Sequence, residues 1–90
     1  MPTVKDVTVR KPTEEEKQTC EGWPIWSKEA SSFDWSYTDK ETCLIIEGKV
    51  TVSDSESSVS FGPGDLVVFP EYLDCTWQIT EPVKKYYNFG

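Results

Sequence analysis

Histidine is absent from this chain of 90 residues. Its absence excludes Ser-His-Asp and Cys-His catalysis within one chain, and with them zinc or iron sites built on imidazole. The three cysteines, Cys20, Cys43 and Cys75, make no Cys-x-x-Cys pair. An odd number of scattered cysteines reads as reduced thiols rather than a disulfide framework. No apolar run exceeds four residues, the longest being Cys43–Ile46 and Leu66–Phe69, so no stretch has the length of a membrane-spanning helix. Basic residues are scarce, 9 against 16 acidic ones, for a net charge of −7. That balance argues against a nucleic-acid partner and against an anionic membrane surface. The opening residues Met1-Pro2-Thr3-Val4-Lys5-Asp6 carry no apolar stretch of a signal peptide, so the expected location is cytoplasmic.

Aromatic residues are plentiful. Four Trp, four Tyr and four Phe make 13% of a chain that is only 37% hydrophobic. Rings must therefore supply much of the core. A domain this small buries only about 60% of its unfolded surface, so its core is thin and pairing with a second copy would help it.

Residues 3–9 alternate only roughly through Val4, Val7 and Val9, which predicts a weak strand or arm. Thr13 and Glu16 stand at capping-box spacing, and Glu14, Glu15 and Glu16 suit the positive end of a helix dipole. A short helix is expected there, stopped by Gly22 and Pro24. Beyond Gly22 the period falls to two, the mark of half-buried strands. Phe33, Trp35 and Tyr37 alternate with polar residues, as do Cys75, Trp77 and Ile79. Turns are expected at Glu47-Gly48-Lys49, through the polar run Ser53–Ser58, and at Gly62-Pro63-Gly64. Pro82 is expected to break the chain before a last strand, Val83–Phe89. Short strands separated by Gly and Pro turns predict an all-β sandwich or barrel of about eight to ten strands.

Two spacings carry a resemblance. Glu41, six residues, then Gly48 matches the tail of the first cupin motif; Gly64, five residues, then Pro70 matches the head of the second, with 15 residues between the glycines. With the stretches ETCLIIEGKV and FGPGDLVVFPEYLDCTW, and with WPIW and PVKKYYNF flanking them, the chain over residues 20–90 resembles small cupins grouped with the (S)-ureidoglycine aminohydrolase cupin domain. The resemblance implies a single RmlC-like jelly-roll barrel with a short N-terminal helix. Residues 1–19 would be the arm and helix, residues 20–90 the barrel, and the whole one domain that pairs as a homodimer. The family's His-x-His pair falls at Trp35 and Tyr37, and its third histidine falls at Cys75. Of four expected metal ligands only Glu41 remains. No conventional metal cofactor is then expected; the alternative is an atypical transition metal on Glu41, Cys75 and Tyr37.

In a barrel, Trp35 and Tyr37 share a face with Phe33, Cys75 shares one with Trp77, and Glu41 is in phase with Cys43 and Ile45. The resemblance implies that these faces turn into the barrel, so Phe33, Trp35, Tyr37, Glu41, Cys75 and Trp77 are the expected ligand-binding residues. A small barrel either fills its interior or holds one small ligand. Two functions follow: a His-free aromatic pocket for a small organic metabolite, or a structural dimeric module with a filled barrel. The resemblance adds a third, an amidohydrolase or isomerase-like enzyme. Its catalytic candidates are Glu41 with Tyr37 as an acid–base pair and Cys75 as a nucleophile, although Cys75 lacks an activating base. A carboxylate inside a barrel needs partners; Tyr37, Trp35 and Trp77 are the expected donors to Glu41. One acid among rings favours an amine or amide ligand, and Glu41→Gln is expected to weaken binding while stability holds or rises. Lys84-Lys85-Tyr86-Tyr87 reads as an edge strand whose lysines guard against aggregation, the alternative being an anion contact at a rim. Trp23, Trp26 and Phe61 read as packing on the sheet exterior or at a dimer contact.

Overall fold

Strand follows strand through most of the chain, as the period-two patterning requires. The computed structural model describes residues 1–90. A 3-10 turn, Val4–Asp6, leads into β1 (Thr8–Arg10), helix α1 (Glu14–Cys20), β2 (Ile25–Lys28) and β3 (Ser31–Ser36). There follow β4 (Glu41–Ser53), β5 (Ser58–Phe61), β6 (Leu66–Phe69) and β7 (Asp74–Phe89). All pairings are antiparallel. No helix is long and apolar enough to cross a membrane.

Two long strands organise everything else. β4 and β7 pair with each other over most of their lengths, from Glu41↔Phe89 to Ser53↔Thr76. The first part of β4 also pairs with β6, and β6 with β1, while the last part of β7 pairs with β2. Beyond the middle, β4 pairs with β5 and β7 pairs with β3. One group of strands thus runs β1-β6-β4-β7-β2 and the other β5-β4-β7-β3. The two long strands pass between the groups, and their inner faces enclose the core as in a jelly roll.

The passage requires a kink, and the sequence places one. The β4–β7 register slips at Ile45/Glu47, Glu47/Lys49 and Lys49/Val50. Gly48 sits in this bulge at φ +97, where a Cβ would lie 2.3 Å from the Pro82 carbonyl oxygen and 2.6 Å from Val83 Cα. Only glycine accepts both the dihedral and the approach. Pro82 donates no backbone hydrogen bond, and the disturbed ladder at the bulge tolerates that. The expected turn at Glu47-Gly48-Lys49 and the expected break at Pro82 are therefore one bulge in two continuous strands, and the strand count falls to seven.

The helix begins as its capping box dictates: Thr13 Oγ1 accepts from the Glu16 N–H at 3.2 Å, and Glu16 Oε1 accepts from the Thr13 N–H at 2.8 Å. Arg10 grips the same Glu16 carboxylate with both guanidinium nitrogens. The bond from Arg10, with that from the Thr13 backbone, lowers the Glu16 carboxyl to about 2. The arm is built into the fold. Val4 and Val7 are buried in the main core, and the Val4 N–H donates to Asp54 Oδ2 at 2.9 Å.

The main core is as aromatic as the composition demands. Phe69 stacks on Tyr37 at 4.9 Å between ring centroids and meets Trp77 at 5.6 Å and Phe61 at 5.9 Å. Phe61, expected outside, is buried here with Val52, Val67 and Leu73. A smaller cluster of Cys20, Leu44 and Leu66 lies apart from it, with Trp23 packed against it.

The bulge yields a direct prediction. Gly48→Ala should destabilise the fold by roughly 2 kcal/mol or more, because strain and a backbone clash combine at one site. Urea denaturation measures it; a change below about 0.5 kcal/mol, the range of an ordinary surface substitution, would refute the hinge assignment.

Candidate functional site

The space between the two strand groups does not fill completely. A cleft of about 360 Å³ opens between the sheets, lined by Trp26, Lys28, Phe33, Trp35, Tyr37, Glu41, Trp77, Lys85, Tyr87 and Phe89. Strand parity explains the set. Trp26 and Lys28 lie two apart on β2, Phe33 and Trp35 two apart on β3, and Lys85, Tyr87 and Phe89 keep step with Val83 on β7. Cross-strand register then brings Trp26 opposite Lys85 and Phe33 opposite Trp77.

Glu41 and Lys85 lie at the floor. Lys85 Nζ donates to Glu41 Oε2 at 2.8 Å, and the two side chains are 6% and 4% exposed. The ammonium also lies 4.6 Å from the centre of the Trp77 ring and 4.9 Å from that of Trp26. Trp26 meets Trp77 edge-on at 6.0 Å, and Phe33 stacks on Trp77 at 6.1 Å. The Trp77 indole N–H donates to the Tyr37 hydroxyl at 3.2 Å. Near the mouth, Lys28 Nζ stands 5.4 Å from the centre of the Phe33 ring. Trp35 and Phe89 form the rim, each 47% exposed.

Five of the six expected ligand-binding residues, Phe33, Trp35, Tyr37, Glu41 and Trp77, line this cleft. Cys75 does not. It pairs with Trp35 across the β3–β7 ladder but turns into the main core. Burial, then the nearby Asp74 carboxylate, raises its thiol to about 11. Burial raises Cys43 to about 12. Neither forms appreciable thiolate at neutral pH, so Cys75 lacks the property a nucleophile needs.

Three further readings change. The partner of Glu41 is Lys85, not an indole or phenol donor. Lys85 is buried rather than guarding an edge. Trp26 faces the cleft, not the sheet exterior. The cleft residues that sequence reasoning missed are Trp26, Lys28, Lys85, Tyr87 and Phe89. The signal for three of them is parity: Lys85, Tyr87 and Phe89 alternate in phase with the buried Val83, which the adjacent pair Lys84-Lys85 masks.

The donor set does not fit a resident metal. The Glu41 carboxylate is engaged by an ammonium, the Cys75 thiol is held protonated, and burial, with the charge of Glu41, pushes the Tyr37 phenol well above its ordinary value. A soft thiol, a phenol and a single occupied carboxylate match no common ion. No group of three or more His, Cys, Asp or Glu side chains converges anywhere in the protein.

The bent double sheet with a cleft between its layers defines the class: the protein is a cupin. The family model of the EutQ-like cupin domain matches residues 15–87, and the chain belongs to that family. It is similar to a DUF861 family protein from Thermotoga maritima, at 46% identity, covering 94% of this chain and 100% of that one with a TM-score of 0.89. It also resembles the EutQ protein of Clostridium difficile at 18% identity, over 72% of this chain and 52% of that one, with a TM-score of 0.67. A cupin superfamily protein from Desulfitobacterium hafniense matches at 12% identity, over 91% of this chain and 74% of that one, with a TM-score of 0.59. The last two likenesses concern the fold alone. No curated protein is similar enough to count as a relative. These matches establish a cupin; the ureidoglycine aminohydrolase grouping is a finer assignment that they do not carry.

Two predictions follow from the geometry. Glu41→Gln and Lys85→Met should each destabilise the protein by about 3 kcal/mol, since each strands a buried charge, while the double variant should lose less than the sum. Urea denaturation of the four proteins checks the coupling; strict additivity would show that the pair does not act as a unit. This reverses the sign expected for Glu41→Gln from sequence alone. Separately, Cys43 and Cys75 should resist iodoacetamide at pH 8 in the folded protein and react fully in urea, as read by mass spectrometry. Rapid alkylation of native Cys75 would contradict its burial.

Proposed function

We propose that the protein binds a small, ring-bearing organic metabolite in the cleft between its sheets, without a conventional metal. The observation that carries this reading is the cleft itself. Its volume of about 360 Å³ falls in the range of small-molecule sites, and apolar rings with a few fixed polar groups are their usual lining. Two large rings left half-exposed at the rim, Trp35 and Phe89, suit a planar guest, which they would cover.

The aminohydrolase-type chemistry that the sequence resemblance implies finds little support at this site. Such a reaction would need an activated water or nucleophile. Glu41 is tied to Lys85, Tyr37 is held protonated, and Cys75 lies outside the cleft. Binding is the simpler reading.

The four tryptophans supply the test. Trp26, Trp35 and Trp77 line the cleft, whereas Trp23 belongs to the separate cluster beside the helix. In a 1H–15N titration with benzyl alcohol, the indole N–H signals of the three cleft tryptophans should move and that of Trp23 should stay. The affinity of so small a probe should be on the order of a millimolar. Trp35→Ala should weaken it by about five-fold, the loss of one aromatic contact. No movement, or movement of Trp23 alone, would reject the cleft as a binding site.

A further inference from the structure

Three ionised side chains reach the cleft: Glu41, Lys85 and Lys28. The single negative charge is already matched, because Lys85 Nζ holds Glu41 Oε2 at 2.8 Å. Lys28 is left over, and no acidic side chain stands within salt-bridge distance of it. The cleft is therefore locally positive by one charge in a chain whose net charge is −7.

The ring faces repeat the message. An amine guest would seek an aromatic face and a free carboxylate. The faces of Trp26 and Trp77 already receive the Lys85 ammonium, and that of Phe33 receives Lys28. The protein has placed its own amine where an amine ligand would sit, so a second cation meets two ammoniums and an occupied acid.

From these contacts we infer, building on the reading of the cleft as a binding site, that the ligand is an organic anion, a planar ring bearing a carboxylate. An ammonium has three N–H donors. Lys85 directs one to Glu41, and Lys28 directs none to a carboxylate. A ligand carboxylate near Lys28 brings the cleft to two positive and two negative charges. Its ring lies among Phe33, Trp35 and Phe89. The overall negative charge of the protein repels such a ligand at long range, but at physiological salt that repulsion is screened beyond about 8 Å. The contact with the lysines then decides the preference.

Three probes of nearly the same shape separate the ideas: benzoate, benzyl alcohol and benzylamine, each titrated by calorimetry into the intact protein at pH 7 and 0.15 M NaCl. Benzoate should bind at least ten-fold more tightly than benzyl alcohol, and benzylamine more weakly than either. Lys28→Gln should cut the advantage of benzoate over benzyl alcohol, taken as the ratio of the two affinities for the same variant, at least five-fold. If benzyl alcohol binds but benzoate binds no better, or benzylamine binds best, the anion assignment fails while the binding site stands. If the advantage of benzoate survives Lys28→Gln, Lys28 is not its partner and the charge argument fails. Silence from all three probes overturns both the site and the charge of its ligand.

Discussion

An ammonium and a carboxylate, both almost wholly removed from water, face each other on the floor of a cleft walled with rings. Neither ion would be tolerated there alone, since a buried unpaired charge is among the most damaging features a small core can hold. Each therefore fixes the other, and together they fix the strands that carry them. Glu41 opens β4 and Lys85 lies near the end of β7, so the pair ties together the two strands that run through both halves of the sandwich. Trp77 extends the constraint. It receives the ammonium on its face, stacks with Phe33, meets Trp26 edge-on and bonds Tyr37 through its indole nitrogen. A rotation of any one of these groups would disturb the rest.

Such a pair is not a strong source of stability. Replacing buried ions with well-packed apolar groups is often neutral or favourable. What the pair supplies is placement. A cleft lined only by rings could collapse in several ways of similar energy, whereas an ion pair with a hydrogen bond has one good geometry. The open volume and the half-exposed rim then have a physical reason to persist in a chain too short to waste apolar surface.

Much of this was legible in the residues. The cupin spacing turns Glu41, Trp35 and Tyr37 into the barrel, and alternation with Cys43 and Ile45, and with Phe33, agrees with it. The helix start at Thr13 followed from one capping box. The failures share a cause. Gly48 and Pro82 are turn residues by local chemistry, which predicts strand ends at both; only the antiparallel register shows that they oppose each other in a bulge. Once Pro82 is taken as a break, Lys84 and Lys85 fall on a short edge strand, and an inward lysine is no longer expected. Cys75 failed for another reason. Its parity is right, but parity distinguishes only the two faces of a sheet and cannot say which part of the inner face lies at the cleft and which at the packed core.

The missing imidazoles bear on more than metal binding. Histidine is the side chain whose ordinary titration falls between pH 5 and 8, so a site built on it changes charge within the physiological range. Here the cleft holds a lysine matched to a glutamate, a second lysine at its mouth, and a phenol that burial keeps protonated. The Cys75 thiol, outside the cleft, is raised to about 11. The charge that an incoming ligand meets is set by which side chains are matched and which one is left over: Lys85 holds Glu41, and Lys28 has no acidic partner. Without imidazoles, the electrostatics of the cleft rest on rings fixed around one buried ion pair and on a lysine at the mouth.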